Sequence, residues 1–268
     1  MKFVCSSKTF TEAFNNAALA VDCRSMQPTM KNILLSCYCN EVILTGYDLE
    51  LSIMKVFEAR TEENGKLLLD YEKYSAFFNN YTPVDERLHM EVNEKNEVII
   101  ETTKKYKCSK SEGRDAVFPA IPVASVDNRF HISNRKLRYI LSWITRNAFE
   151  NTDRMPIVSG AMFKLYENTL NITAVDGCYT VCAKESVEYD GEELIFAVPR
   201  KTILAMNKIL NDTDILEPVK VSIGGGLVTF EVDGYTVTSP GANTKVYLNI
   251  IKELNSLKEV NVYENHNS

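Results

Sequence analysis

The sequence predicts an α+β protein made of two tandem copies of one domain, each an antiparallel sheet with two helices on one face. The first observation is an internal repeat: residues 45–50 (TGYDLE), which follow an apolar run, are echoed by residues 173–177 (TAVDG). Asp48 and Asp176 in these segments are 176 − 48 = 128 residues apart. Four further pairs match at offsets of 127 to 129: Phe3 with Phe130, Pro28 with Pro156, Leu69 with Val198, and Tyr106 with Tyr235. A repeat of this length indicates a molecule of like units that closes on itself or extends an array.

The second observation is the hydrophobic pattern, which places several strands and two amphipathic helices in each repeat. Ser7 is the predicted N-cap of the first helix, and Asn40 suits a tight hairpin turn. The predicted elements of the first repeat are a strand at 2–5, a helix at 8–21, strands at 32–38, 41–46 and 49–58, a further strand, a helix at 71–80, and a hairpin of 97–103 with 106–109.

The second repeat follows the same order, with Ser133 near the start of its first helix and Asn168 in its first hairpin turn. Its predicted elements are a strand at 129–132, a helix at 134–149, strands at 160–166, 169–175 and 179–187, a further strand, a helix at 200–210, and a hairpin of 227–232 with 235–239. Residues 224–226 (GGG) precede a strand, so we interpret them as a hairpin turn and not as a phosphate-binding loop, which would precede a helix.

The segment 113–122 (GRDAVFPAIP) predicts an extended connector, because a residue that precedes proline is pushed out of helical geometry. We therefore expect one domain at 1–125 and a second at 126–240. Residues 241–268 are too few for a third copy of the repeat. We expect this tail to be partly disordered, including its final residues 263–268.

Composition predicts a soluble globular protein of the cytoplasm. Of its 268 residues, 45% are hydrophobic and 25% charged, which excludes disordered and collagen-like classes. No apolar run approaches the roughly 20 residues of a membrane span, and the N-terminus has too few apolar residues for a signal peptide. The net charge of −6 argues against a protein that is basic all over, and it leaves room for a local basic surface.

The cysteines and histidines predict neither a metal site nor a cofactor. Most of the seven cysteines lie in apolar runs, where a reduced cysteine behaves as a small hydrophobic residue. His89, His131 and His266 are scattered without the spacing of metal ligands.

A catalytic pair of Asp48 and Asp176 would require the two repeats to face each other, because the residues occupy equivalent places in separate domains. Aspartate that forms a turn through its own side chain is the interpretation we favour. The sequence contains no convincing set of nucleophile, base and oxyanion donors.

Four short motifs resemble the bacterial DNA polymerase III beta sliding clamp family, and the likeness covers about 240 residues, the first two domains of that family. The motifs, in order, are 1–3 (MKF), 44–50 (LTGYDLE), 174–177 (AVDG) and 198–201 (VPRK). The resemblance implies a non-catalytic processivity factor that encircles duplex DNA without sequence preference, binds a DNA polymerase and the clamp loader, and forms a homo-oligomer. Family members have three such domains per chain, and the resemblance does not extend to the third. Two domains per chain could close a six-domain ring as a trimer.

A sliding ring must attract phosphates without reading bases, so we looked for Lys and Arg on the predicted helices. The second repeat carries more of them than the first, in which Lys8 and Lys73 are offset by Glu12, Asp22 and Glu72. Arg24, Arg200 and Lys201 match family positions that face DNA. The predicted DNA-binding residues are Arg24, Lys73, Arg135, Arg138, Arg146, Arg200, Lys201 and Lys208, and the same helices also carry Lys136.

The resemblance also implies a pocket for short peptides of polymerases and the clamp loader. The matching positions are Val158, Val175, Gly177, Tyr179 and Thr180. Cys178 and Tyr179 stand where a His-Arg pair is common in the family, and the other half of the pocket belongs to the third domain. Val158 and Val175 also fit a role in core packing.

Three alternatives stay open at this point. The basic helix faces could be ordinary solvated surfaces. The chain could be a truncated or mobile-element interaction module that binds replication proteins without forming a ring. It could also be an enzyme of unknown type on the same scaffold.

Overall fold

The computed structural model describes residues 1–80, 86–95, 97–103, 105–109, 118–148, 160–176, 179–213, 216–241, 244–245, 248–249, 252 and 260–264. The chain divides into two compact units, Met1–Pro122 with Gly234–Thr236 and Val123–Asp233 with Val237–Ser268. In the described residues no helix is long and apolar enough to cross a membrane.

Among the described residues, unit 1 includes two α-helices and nine strands. In chain order they are β1 (Lys2–Ser6), α1 (Ser7–Ala17), β2 (Asn32–Tyr38), β3 (Glu41–Tyr47), β4 (Ser52–Glu58), β5 (Arg60–Glu63), β6 (Gly65–Asp70), α2 (Tyr71–Asn80), β7 (Arg87–Val92), β8 (Glu97–Glu101) and β9 (Lys105–Ser109). One sheet has the order β5-β1-β7-β8-β9, and β4-β3-β2-β6 are neighbours in another.

Aromatic side chains from both helices form the core of unit 1. The ring of Phe78 lies 4.4 Å from that of Phe14 and 5.3 Å from that of Phe10. Phe10 and Phe14 are one helical turn apart on α1, so both point to the same buried face. Alternate residues of the strands, such as Ile33 and Leu35, complete the core.

The described part of unit 2 includes two further α-helices and nine further strands. They are β10 (Asn128–Ile132), α3 (Asn134–Ala148), β11 (Gly160–Tyr166), β12 (Thr169–Asp176), β13 (Tyr179–Ser186), β14 (Leu194–Pro199), α4 (Arg200–Asp212), β15 (Val219–Gly224), β16 (Leu227–Val232), β17 (Tyr235–Pro240) and β18 (Val260–Glu264). One sheet has the order β14-β11-β12-β13-β18, and β10-β15-β16-β17 are neighbours in another.

The two units repeat one topology. The order β6-β2-β3-β4 of unit 1 corresponds to β14-β11-β12-β13 of unit 2, and β1-β7-β8-β9 corresponds to β10-β15-β16-β17. Each repeat therefore divides its strands between two sheets and adds two helices. The predicted α+β class with tandem copies of one domain is confirmed.

The predicted hairpin turns are also confirmed. Cys39 and Asn40 both have positive φ, at 52° and 63°, and so do Glu167 and Asn168, at 48° and 59°. Two consecutive residues with positive φ form the type I′ turn, whose twist matches that of the flanking strands.

Three details differ from the prediction. The N-cap of α1 is Ser6, whose Oγ accepts a hydrogen bond from the Thr9 backbone N–H at 3.3 Å, because the helix begins one residue earlier than predicted. The strand predicted at 49–58 begins at Ser52. Residues 263 and 264 belong to β18, which pairs in parallel with β13, whereas the sequence predicts no strand there. Local sequence does not reveal this pairing because the partner strand is distant.

Candidate nucleic-acid interface

Helices α3 and α4 lie side by side in unit 2, because each buries an apolar stripe. Leu137, Ile140, Leu141 and Ile144 form the stripe of α3, and Ile203, Met206, Ile209 and Leu210 form that of α4. The spacing is i, i+3, i+4, i+7 in α3 and i, i+3, i+6, i+7 in α4, and each marks one face of a helix. Between the helices the Ser142 hydroxyl donates a hydrogen bond to Asn207 Oδ1 at 2.8 Å.

The outward faces of these helices are basic. Together α3 and α4 contain seven basic residues and one acidic residue, although the whole chain has a net charge of −6. Arg135, Arg146, Lys201 and Lys208 are exposed, and Arg138 and Arg200 are half-buried. We call these six residues the basic face. Lys208 Nζ lies 3.3 Å from Asp212 Oδ2, so this cation is partly neutralised.

Lys136 does not join the basic face, although it lies on the same helix. Its Nζ is 2.9 Å from Oε2 of Glu185 on β13, and the Glu185 side chain is only 5% exposed. A nearly buried carboxylate needs a nearby cation, so Lys136 links α3 to the sheet.

The helices of unit 1 carry no such excess of charge. Each of α1 and α2 contains one basic and one acidic residue. Lys8 Nζ lies 3.9 Å from Glu12 Oε1, and Lys73 Nζ lies 3.7 Å from Asp70 Oδ2. The predicted Lys73 thus has a carboxylate beside it. Arg24 is exposed on a turn that Asp22 stabilises by accepting a hydrogen bond from the Arg24 backbone N–H at 3.0 Å.

The predicted peptide pocket lies mostly outside the described side chains. Val158 and Gly177 are not among the described residues. The backbones of Val175 and Thr180 are direct partners across β12 and β13, and that of Tyr179 is opposite Asp176. These positions are therefore neighbours at one end of a hairpin, and their role stays a prediction.

Sequence reasoning missed two exposed side chains among the cations. Tyr139 on α3 is 56% exposed, and Leu204 on α4 is 38% exposed. The available signal was a large hydrophobic residue at a position where the helical pattern predicts solvent. Trp143, also on α3, is half-buried.

The residues considered for other chemistry have structural roles. Asp48 Oδ1 accepts hydrogen bonds from the backbone N–H groups of Glu50 and Leu51 at 3.0 and 2.8 Å, as expected of an aspartate that forms a turn. Burial raises the pKa of the Cys5 thiol to about 12, so this cysteine stays protonated at neutral pH. Within the described ranges no cluster of three His, Cys, Asp or Glu residues could hold a metal ion.

Most of the length of both units matches one protein family. The model of the DNA polymerase III beta subunit N-terminal domain matches residues 1–118, and that of its central domain matches residues 131–244. The beta sliding clamp of Staphylococcus epidermidis is 24% identical over 241 residues, which are 87% of this chain and 62% of that protein. The chain thus spans less than two thirds of the length of this relative.

Solved structures agree with this assignment at the level of the fold. The DNA polymerase III beta subunit of Thermotoga maritima has a TM-score of 0.79 at 16% identity, covering 90% of this chain and 64% of that one. A putative beta subunit from Eubacterium rectale has a TM-score of 0.76 at 23% identity, with coverages of 91% and 65%. From the two domain matches, the relatives and the fold together, the chain belongs to the DNA polymerase III beta subunit family, the beta sliding clamps.

Proposed function

We propose that the chain is a non-catalytic cytoplasmic DNA sliding clamp that holds duplex DNA without sequence preference. The observation that carries this proposal is the basic face, which places six basic residues on two adjacent helices of a chain with a net charge of −6. Relatives at 24% identity are named beta sliding clamps. An acidic protein repels DNA as a whole, so a local basic surface must supply the attraction.

The chemistry of the basic face suits sliding. Arg and Lys bind phosphate oxygens, which carry no sequence information, and the contact exchanges readily when salt competes. Exposed side chains such as Arg135 and Lys201 can move from one phosphate to the next without leaving a buried site. Closure of a ring around the duplex would then provide the long residence that weak contacts cannot.

We further propose that copies of the chain assemble into this ring, with three two-domain chains forming six domains. A polymerase and a clamp loader would bind through short peptides at the end of the β12–β13 hairpin, where Val175 and Thr180 are paired, together with Val158, Gly177 and Tyr179. Arg24 and Lys73 would supply the weaker contribution of unit 1 to DNA binding.

Reversal of two charges on the basic face tests the DNA contact. We expect Arg200→Glu with Lys201→Glu to weaken retention on closed circular DNA about a hundredfold at moderate salt, because two phosphate contacts become repulsive. Retention is measured by gel filtration of clamp loaded onto nicked circles. Circular dichroism is expected to show an unchanged fold, since Lys201 is exposed and Arg200 is half-buried.

A matched control variant changes the net charge of the chain by the same amount. Lys66→Glu with Lys184→Glu reverses two exposed lysines on strands β6 and β13, neither of which belongs to α3 or α4. This variant is expected to be retained like the parent protein. The assignment of the basic face would be contradicted if the Arg200→Glu, Lys201→Glu variant were retained as well as the parent protein. It would also be contradicted if the control variant lost as much retention as that variant.

A further inference from the structure

Two large hydrophobic side chains lie exposed among the cations of α3 and α4. Nine exposed side chains of this kind occur in the described residues, and seven of them lie on turns, loops, connectors or strand ends. Tyr139 and Leu204 are the two that lie within helices. Single exposed hydrophobic residues are common on protein surfaces, but the two that lie within helices are both surrounded by the cations of the basic face, which needs an explanation.

Helical spacing places both side chains between cations. Arg135 precedes Tyr139 by four residues and Arg146 follows it by seven, so the three share a face of α3. Lys201 precedes Leu204 by three residues and Lys208 follows by four on α4. At 1.5 Å per residue, Arg135 and Arg146 are about 16 Å apart along the helix axis, long enough for a short stretch of nucleic acid backbone.

We propose that the basic face also binds single-stranded DNA, with Tyr139 as a stacking platform for an unpaired base. An aromatic ring between cations is typical of sites for single strands, because the ring stacks on a base and the cations neutralise the flanking phosphates. Bases inside a duplex are already stacked on each other, so the exposed ring of Tyr139 has no equivalent use there. Leu204 provides an apolar contact for the sugar or base edge on the neighbouring helix.

This inference rests on the proposed role in DNA binding and adds a ligand class to it. A clamp at a junction of primer and template meets both duplex and unpaired template. The arginines would hold phosphates of either form, whereas Tyr139 would distinguish the single strand. Loss of Tyr139 should therefore affect one form of DNA, and loss of Arg135 should affect both.

Binding of fluorescein-labelled oligothymidine to the full chain, followed by fluorescence anisotropy, tests the proposal. We expect Tyr139→Ala to weaken oligothymidine binding roughly tenfold, in line with the stacking energy of one base. Tyr139→Phe should bind like the parent, because it keeps the ring. Binding of a labelled duplex should be unchanged in both variants.

The control is Tyr166→Ala, which removes another exposed tyrosine, at the end of strand β11. It is expected to leave oligothymidine binding unchanged. The proposal is overturned if the parent chain does not bind oligothymidine, if Tyr139→Ala and Tyr166→Ala have equal effects, or if Tyr139→Ala weakens duplex binding to the same degree. The clamp function itself is tested separately, by the retention of the Arg200→Glu, Lys201→Glu variant on closed circular DNA.

Discussion

Arg135 and Lys136 are adjacent cations on α3, yet their side chains meet different surroundings. Arg135 is exposed on the basic face. Lys136 Nζ lies 2.9 Å from the nearly buried carboxylate of Glu185. The 100° rotation between successive helical residues accounts for this difference, since it turns one side chain to solvent and the next toward the sheet. The same charge should therefore serve binding at one position and stability at the other.

Substitution of each residue by glutamine separates the two roles. Lys136→Gln is expected to lower the free energy of unfolding by about 1–2 kcal/mol, because Glu185 loses a cation in a site of low polarity while the lysine itself is partly exposed. Arg135→Gln is expected to leave stability unchanged and to weaken duplex binding several-fold, with a shallower salt dependence. Urea denaturation and fluorescence anisotropy measure the two quantities. Identical behaviour of the two variants in both measurements would contradict these assignments.

At the scale of elements, strand β3 is packed closely against the end of α1. A Cβ added to Gly46 on β3 would overlap the backbone carbonyl oxygen of Ala17, the last residue of the helix. The corresponding position of the second repeat is Ala174, which is fully buried. The close approach is therefore a feature of unit 1, and it explains a glycine in a strand, where this residue is otherwise unfavourable.

Gly46→Ala is expected to lower the free energy of unfolding by about 3 kcal/mol, because a backbone atom must move to accommodate the methyl group. Gly226→Ala provides the comparison. A Cβ there would have nothing within 4 Å, and the cost arises only from its φ of +77°, about 1 kcal/mol. Urea denaturation of the two variants checks the difference. If Gly226→Ala were the more destabilising, close packing would not be the reason for Gly46.

Elements formed by local signals were predictable from the sequence. The turns at Asn40 and Asn168, the amphipathic helices and the repeat depend on residues that are near in sequence or recur at a fixed offset. Contacts between distant segments were not predictable. The parallel pairing of β18 with β13 and the ion pair between Lys136 and Glu185 depend on tertiary packing. The secondary-structure propensities of the residues do not encode such packing.

The candidate site was predictable to a similar extent. Charge on α3 and α4 is visible in the sequence, and six of the eight predicted DNA-binding residues lie on these two helices. The exposure of Tyr139 and Leu204 was missed, because hydrophobic residues were assigned to the core even where helical spacing places them on the side that carries the cations.

At the scale of the whole molecule, the positive charge of the helices is concentrated in one unit. Helices α3 and α4 of unit 2 together contain seven basic residues and one acidic residue, and helices α1 and α2 of unit 1 together contain two of each. On the proposed function, one basic face per chain would give salt-sensitive binding that dissociates rapidly, because few phosphates would be contacted at once. Several copies arranged around one duplex would multiply the contacts, and topological closure would prevent escape.

We therefore expect the chain to form a trimer with a mass of about 91 kDa, three times its 30.4 kDa. A closed ring gains an interface at both ends of every subunit, so its mass should stay constant over a wide dilution range, whereas an open array would shrink with dilution. Multi-angle light scattering across a dilution series at moderate salt measures this. A persistent mass of 30.4 kDa would contradict the ring and favour an interaction module that binds replication proteins as a monomer. A constant trimer whose retention on circular DNA exceeds that on linear DNA of equal length would show that closure, and not charge alone, holds the duplex.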